Sequence, residues 1–284
     1  MSHINYHYLI SCLCCVLIII QPTNAQEKVS LNGKFATVKG LKMYYEDTGK
    51  GMPLILLHEF TGTTSLWKDF SELAKHYRTI AVDATGHGRS DYMDTTDVYL
   101  NKRAAEYIIG LLEQLHIDSA YIMGCSSGSL ITLYMATLKP LLAKKIIIIG
   151  GLLYLSETTR KFITSLGPLA EDREELESKS KLHGKQKATL LLNQFWNFRK
   201  LYGDPSFTPD VLATIKAKAL IIHGDNDPIA PVSNAWEMYR HIPKASLWII
   251  PNGGHIPMEI PANQKDFLRR ILEFLREDWG NNKQ

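Results

Sequence analysis

The run Gly124-Cys125-Ser126-Ser127-Gly128 has the spacing G-x-S-x-G. It follows the apolar stretch Tyr121–Met123 and precedes a helical stretch, Leu130–Leu138. A serine at a sharp strand-to-helix turn projects its hydroxyl clear of the backbone, and flanking glycines leave room for the turn. The helix that starts there directs its first N–H groups at developing negative charge. The chemistry implied is attack by Ser126 on an electrophilic carbon. A serine hydroxyl needs a base for this. Gly253-Gly254-His255 follows the last apolar run and offers an imidazole. The imidazole in turn needs an acid to fix its tautomer. His223-Gly224-Asp225-Asn226-Asp227-Pro228 follows the preceding run, and either Asp225 or Asp227 can serve. The order serine, aspartate, histidine fits a nucleophile carried on such a turn. No H-E-x-x-H spacing and no nucleotide-binding glycine loop occurs. Neither a metal nor a cofactor is therefore expected.

These side chains lie far apart in the chain, so regular elements must bring them together. Leu54–Leu57, Thr79–Val82, Tyr121–Met123, Lys145–Ile149, Ala219–Ile222 and Leu247–Ile250 are short apolar runs that read as buried strands. Phe35–Val38 and Lys42–Glu46 read as an opening hairpin turned at Lys39-Gly40. Helical patterns lie between them. Ala104–Leu115 places Ile108, Leu111, Leu112 and Leu115 on one face, and Phe267–Leu275 repeats the pattern. The expected fold is α/β: a mostly parallel sheet with helices on both faces. Sites in such sheets form at the carboxyl ends of the strands.

Between Gly151 and Pro209 no convincing strand occurs. Glu171–Lys187 is highly charged, and Leu190–Tyr202 holds Phe195, Trp196, Phe198 and Tyr202. A structureless loop of that length is uncommon. The segment, about 151–209, is expected to be a helical insertion over one edge of the sheet. Its aromatics, Phe195 and Trp196 among them, either pack on the body or line a substrate pocket beneath.

The chain of 284 residues is 45% hydrophobic and 21% charged, which excludes disordered and low-complexity classes. Its net charge of +3, from 32 basic and 29 acidic residues, is too balanced for a nucleic-acid partner. Residues 1–25 contain no Lys, Arg, Asp or Glu, and a largely apolar run, Leu9–Ile20, precedes Thr23-Asn24-Ala25. This pattern is expected to be a signal peptide cleaved after Ala25, giving a secreted or periplasmic domain over 26–284, with a retained anchor as the alternative. The run rises only about 18 Å as a helix, short of a ~30 Å hydrocarbon core, so no stable membrane association is expected after cleavage. Three of the four cysteines leave with that segment. The one that remains, Cys125, can form no internal disulfide and reads as a packing residue. His76, His116, His183 and His241 lie in polar stretches and are expected to be solvated; His87 reads as a turn residue. Oligomeric state has no readable signal.

Taken together, residues of about 30–276 resemble the α/β-hydrolase fold family, of the kind with a helical cap. Four motifs carry the resemblance: the elbow Gly124–Gly128, the acid loop G-x-x-D-x-x-x-P at Gly224, Asp227 and Pro231, the G-G-H at His255, and G-H-G-x-S at Gly86–Ser90. The acid-loop match favours Asp227 over Asp225. The resemblance implies that Ser126, His255 and Asp227 form a triad and that the 151–209 insertion is the cap. It also implies that the N–H groups of Phe60 and Ser127 form an oxyanion hole, with His58 supporting its loop. One departure stands out. The family's H-G-x-x-G reads His58-Glu59-Phe60-Thr61-Gly62 here, with Glu59 in place of the first glycine. Either Glu59 points aside and the hole survives, or it shapes substrate choice by binding a cationic group. The expected activity is hydrolysis of small or medium apolar carboxylic esters through an acyl-enzyme. Alternatives with the same triad are a lactonase, an amidase or proline-type aminopeptidase, and a C–C hydrolase. A non-catalytic ligand-binding protein on this scaffold is a further alternative.

Overall fold

The computed structural model describes residues 33–92 and 98–276. The expected signal peptide lies outside them. Eight strands form one sheet: β1 (Gly33–Val38), β2 (Leu41–Thr48), β3 (Pro53–Leu57), β4 (Arg78–Val82), β5 (Ala120–Cys125), β6 (Ala143–Ile149), β7 (Lys218–Gly224) and β8 (Ala245–Ile250). Their spatial order is β1-β2-β4-β3-β5-β6-β7-β8. The opening hairpin is antiparallel, and β2 pairs antiparallel with β4. The other pairs are parallel. The hairpin turn falls on Lys39 (φ 47°) and Gly40 (φ 85°). Two adjacent positive φ values match the twist of the flanking strands.

Helices α1 (Asn101–Gln114), α2 (Ser127–Leu138) and α7 (Ser233–His241) cover one face. The 3-10 segment Thr64–Lys75 and helix α8 (Pro261–Leu275) cover the other. Strand residues therefore bury side chains both ways: Ile55, Leu57, Ile146 and Ile148 join one core, and Leu54, Leu56, Ile147 and Ile149 the other. That is why these strands read as continuous apolar runs rather than alternating ones. Lys145 is the exception within β6. Its buried ammonium donates to the carbonyls of Phe274 (3.1 Å) and Leu275 (2.8 Å), neutralising the carbonyl end of α8.

The chain runs β3, β4 on one side, then crosses to β5 on the other side of β3. Crossing connections leave a crevice at the carboxyl ends of β3 and β5, where Leu57 pairs with Gly124. Asp83 anchors the neighbouring loop. Fully buried after β4, it accepts hydrogen bonds from the Thr64 N–H (2.8 Å), the Arg89 N–H (2.9 Å) and Arg89 Nε (3.3 Å). Asp83→Ala strands two of these amides and is expected to cost about 2–3 kcal/mol of stability, read as a lowered urea midpoint at unchanged m-value.

Between β6 and β7 lie α3 (Glu157–Leu166), α4 (Arg173–His183) and α5 (Lys185–Asn197), with short 3-10 turns at Leu169–Glu171 and Phe198–Lys200. Asp172 caps α4 through the Glu175 N–H, and Ser156 caps α3 through the Thr159 N–H. The Arg160 guanidinium ties α3 to the turn after α5 by donating to the carbonyls of Phe198, Arg199 and Leu201. A single antiparallel bridge, Tyr154 to Ser206, pairs the two ends of the insertion. Thr208 then caps the short helix α6 (Pro209–Ala213), which leads into β7. No helix among the described residues is long and apolar enough to cross a membrane.

Candidate active site

Ser126 is the residue between β5 and α2, with φ 52° and ψ −115°. A non-glycine residue at positive φ is strained and persists only where its surroundings over-determine it. Here the Ser126 N–H donates to the Ile149 carbonyl (2.8 Å), and the Ser126 carbonyl accepts from Ser129 and Leu130. The two elbow glycines are required by close approach. A Cβ on Gly124 would lie 2.1 Å from the Gly128 carbonyl oxygen, and one on Gly128 would lie 2.2 Å from that of Leu57. Strand β5 thus meets α2 at a separation that no side chain permits.

His255 lies in the loop after β8, and its Nε2 is 2.7 Å from Ser126 Oγ. Its Nδ1 is 2.7 Å from Asp227 Oδ2. Asp227, in the loop after β7, is held by its other oxygen, which accepts from the Ile229 and Ala230 N–H groups at 2.8 Å each. Burial alone would raise the Asp227 carboxyl. The adjacent His255 ring, its hydrogen bond and the Ala230 N–H outweigh burial and hold it below the usual carboxylate range. Asp225 is exposed and donates only its backbone N–H, to Ile250. Of the two aspartates left open by the residue pattern, geometry therefore brings Asp227 to the histidine. Behind it His223 is buried, with Nε2 2.7 Å from the Ala230 carbonyl and 3.4 Å from Asp227 Oδ2.

The loop after β3 closes the other side. His58 Nδ1 donates to the Glu59 carbonyl (2.7 Å), and its Nε2 accepts from the Ala84 N–H (3.0 Å). Both bonds together require neutral Nδ1–H imidazole, in keeping with a basicity lowered mainly by burial. Gly62 donates to the Glu59 carbonyl (3.0 Å), making Glu59–Gly62 a tight turn. The N–H groups of Phe60 and Ser127 take no partner among the described residues. Ser127 Oγ donates to Asn101 Oδ1 at 2.6 Å, which joins α2 to α1.

Glu59 does not need a glycine-like backbone; the positive φ in this turn falls on Thr61 (62°). The glutamate instead folds its carboxyl over Gly62, where a Cβ would lie 2.3 Å from Oε1. Oε2 is buried with no hydrogen-bond partner among the described residues. Burial pushes this carboxyl up to about 7, with Glu259 adding to the rise and Lys179 and His255 opposing it. The ordinary value is 4.5, so the unfolded chain releases this proton between about 4.5 and 7 while the folded chain keeps it. Stability therefore falls as pH rises through that window, by on the order of 3 kcal/mol in all. Glu59→Gln removes this cost. Urea unfolding should show the variant gaining more over wild type at pH 8 than at pH 5; equal gains would disprove it.

The aromatics divide. Phe60 is edge-on to Phe198 (5.0 Å between centroids) and Tyr99 (5.2 Å) and stacks on Phe195 (6.1 Å). Phe195 thus reaches Phe60, and Phe198, named with it in the same aromatic stretch, packs closer still. Trp196 packs against the Arg199 guanidinium (3.7 Å) and against the core cluster that holds Phe60 and Phe198. Cys125 is fully buried, its thiol pushed well up by burial, as suits a packing residue. His87 is buried in the turn after β4, and burial keeps it neutral. The expectation for His183 is corrected. It is not solvated but 6% exposed, hydrogen-bonded to Gly88 and Thr61, because the face of α4 that carries Lys179 and His183 lies on the body while Arg173, Glu174, Glu177 and Lys181 face water. Among the described residues, no cluster of His, Cys, Asp and Glu could hold a metal ion.

An alcohol, an imidazole and a carboxylate in line, with two free N–H groups nearby, can carry out acyl transfer or hydrolysis. The comparisons with known proteins agree with that scope. The 2-hydroxy-6-oxo-6-(2'-aminophenyl)hexa-2,4-dienoic acid hydrolase of Metapseudomonas resinovorans is 25% identical, the match covering 85% of this chain and 90% of that one. The serine hydrolase BPHL of Homo sapiens is 24% identical over 80% of this chain and 81% of its own. The solved esterase of Thermogutta terrifontis superposes with a TM-score of 0.69 at 21% identity, covering 86% and 98% of the two chains, a likeness of fold. The model of the alpha/beta hydrolase family matches residues 54–267, and the chain belongs to that family.

Proposed function

We propose that this hydrolase cleaves carboxylic esters of small or medium apolar molecules by a Ser-His-Asp triad. The observation that carries the reading is the unbroken line Asp227 Oδ2, His255 Nδ1, His255 Nε2, Ser126 Oγ, with both contacts at 2.7 Å. Ser126 Oγ attacks the ester carbonyl while its proton passes to His255 Nε2. Asp227 stabilises the imidazolium through Nδ1–H. The Phe60 and Ser127 N–H groups receive the oxyanion, each worth roughly 2.7–4 kcal/mol in such sites. Collapse expels the alcohol, which takes the proton from His255 and leaves an acyl-serine. Water then gives its proton to His255 and attacks the acyl carbon. The acid departs as Ser126 recovers its proton.

Phe60, Phe195 and Phe198 form an aromatic wall beside the Phe60 N–H, which favours an apolar substrate. A second reading is cleavage of a C–C bond, since relatives bear the names of dienoate and dienedioate hydrolases. Those names describe acids, and the carboxyls of Glu59 and Glu259, both raised by burial, offer an anionic substrate no positive charge. Lys179 on α4 is buried and 3.6 Å from Glu175, so its charge is partly spent. This balance favours the neutral ester. Steady-state assays on p-nitrophenyl esters of two to eight carbons, beside a 2-hydroxy-6-oxodienoate, separate the two. Turnover of the dienoate with none of any ester would overturn the ester reading.

A further inference from the structure

His183 ends helix α4 and is followed by Gly184. Its Nδ1 accepts from the Gly88 N–H at 2.8 Å, and its Nε2 donates to the Thr61 carbonyl at 2.9 Å. These two bonds require neutral Nε2–H imidazole, because a protonated ring has no lone pair for Gly88. One ring of the insertion thereby joins two loops of the body, after β3 and after β4.

The bond to Thr61 falls at a weak point. Glu59–Gly62 is a turn with positive φ at its third residue, where glycine is the usual occupant. Thr61 is β-branched and disfavoured there. Phe60 lies between two residues whose carbonyls each accept from an imidazole: Glu59 from His58, and Thr61 from His183. The Phe60 N–H shares its rigid trans peptide with the Glu59 carbonyl, so its direction follows from how the turn is held. His58 secures one side from within the body. The other side is secured from the insertion.

We propose that His183 is a positioning residue for the reaction: seated between Gly88 and Thr61, it keeps the strained turn closed and the Phe60 N–H aimed at the reacting carbonyl. The inference rests on the reading of Phe60 as an oxyanion donor. It makes the seating of the insertion part of the catalytic geometry. Around the ring stand His58 and Asp83 of the body, His87 at 5.8 Å between centroids, Lys179 on the same helix and Lys187 on the next. Lys187 adds to the join by donating to the carbonyls of Gly88 (3.0 Å) and Ser90 (2.5 Å). Burial, with His58 and Lys179 assisting, pushes His183 down to about 4, so the bridge holds throughout the neutral range.

Three variants test this. His183→Phe keeps a ring and removes both bonds; kcat for the preferred ester is expected to fall about 10–100-fold with KM within about threefold. His183→Gln, whose amide carries a donor and an acceptor at similar separation, should restore most of kcat. In a Thr61→Gly background the same His183→Phe change should cost less than about threefold, because glycine holds a positive φ unaided. A His183→Phe enzyme with unchanged kcat, or a loss undiminished in the Thr61→Gly background, would overturn the proposal. Hydrogen exchange at the Gly62 and Gly88 amides reads the same hold without turnover and should quicken at least about tenfold in His183→Phe. Fluorophosphonate labelling of wild type separates the two readings. If Ser126 is not labelled, the esterase reading fails, and unchanged exchange at Gly62 then overturns the positioning role on its own.

Discussion

Ser126→Ala should lower kcat for any hydrolysed ester by about 10⁶-fold, on the scale seen when a serine nucleophile is removed from a triad. Fluorophosphonate labelling should vanish with it. The effect is this large because base, acid and oxyanion donors all act through one oxygen, and without it only water can attack. Ser126→Gly should be equally inactive, and it carries a second expectation. Ser126 sits at φ 52° and ψ −115°, a region costing about 1–3 kcal/mol for a residue with a side chain. Glycine relieves that strain, so the inactive variant should melt higher than Ser126→Ala. Retention of labelling in either variant would remove Ser126 from the mechanism, whereas no labelling of the folded wild type would revive the reading of this chain as a binder on a hydrolase scaffold.

Asp227→Asn should lower kcat about 10⁴-fold at neutral pH, while Asp225→Asn should stay near wild type. Oδ1 of Asp227 accepts from the Ile229 and Ala230 N–H groups. An asparagine will keep its carbonyl oxygen there and turn its NH₂ to His255 Nδ1. The imidazole must then accept at Nδ1 and carry its proton on Nε2, facing Ser126, where it cannot act as a base. The fold should survive, because size and both backbone contacts are kept. A loss at Asp225 rather than Asp227, measured as kcat on one ester at one pH, would reassign the acid.

The sheet was legible because strands buried on both faces have a simple signature. Leu54–Leu57 and Lys145–Ile149 admit almost no polar residue, apart from Lys145, which finds helix carbonyls. The triad was legible because a strained serine leaves a mark in its neighbours: Gly124 and Gly128 are there for lack of room. Choosing Asp227 over Asp225 needed the acid-loop resemblance, and burial agrees with it. Three things were not legible. The role of His183 depends on the docking of a charged helix onto two distant loops, which no local periodicity encodes. The fit of Glu59 depends on a residue three places on, Gly62, whose missing side chain receives the carboxyl. Phe198 and Trp196 lie in one aromatic stretch, yet the turn at Phe198–Lys200 sends one to Phe60 and the other under Arg199.

The bridge between Tyr154 and Ser206 brings the borders of the insertion side by side. A segment whose borders touch can be exchanged as a cassette where the incoming piece covers the apolar surface that Ile163, Leu191 and Phe198 bury here. Selectivity can thus be grafted between scaffolds separately from the machinery that breaks the bond, provided the incoming piece also supplies a ring nitrogen for the threonine it comes to rest upon.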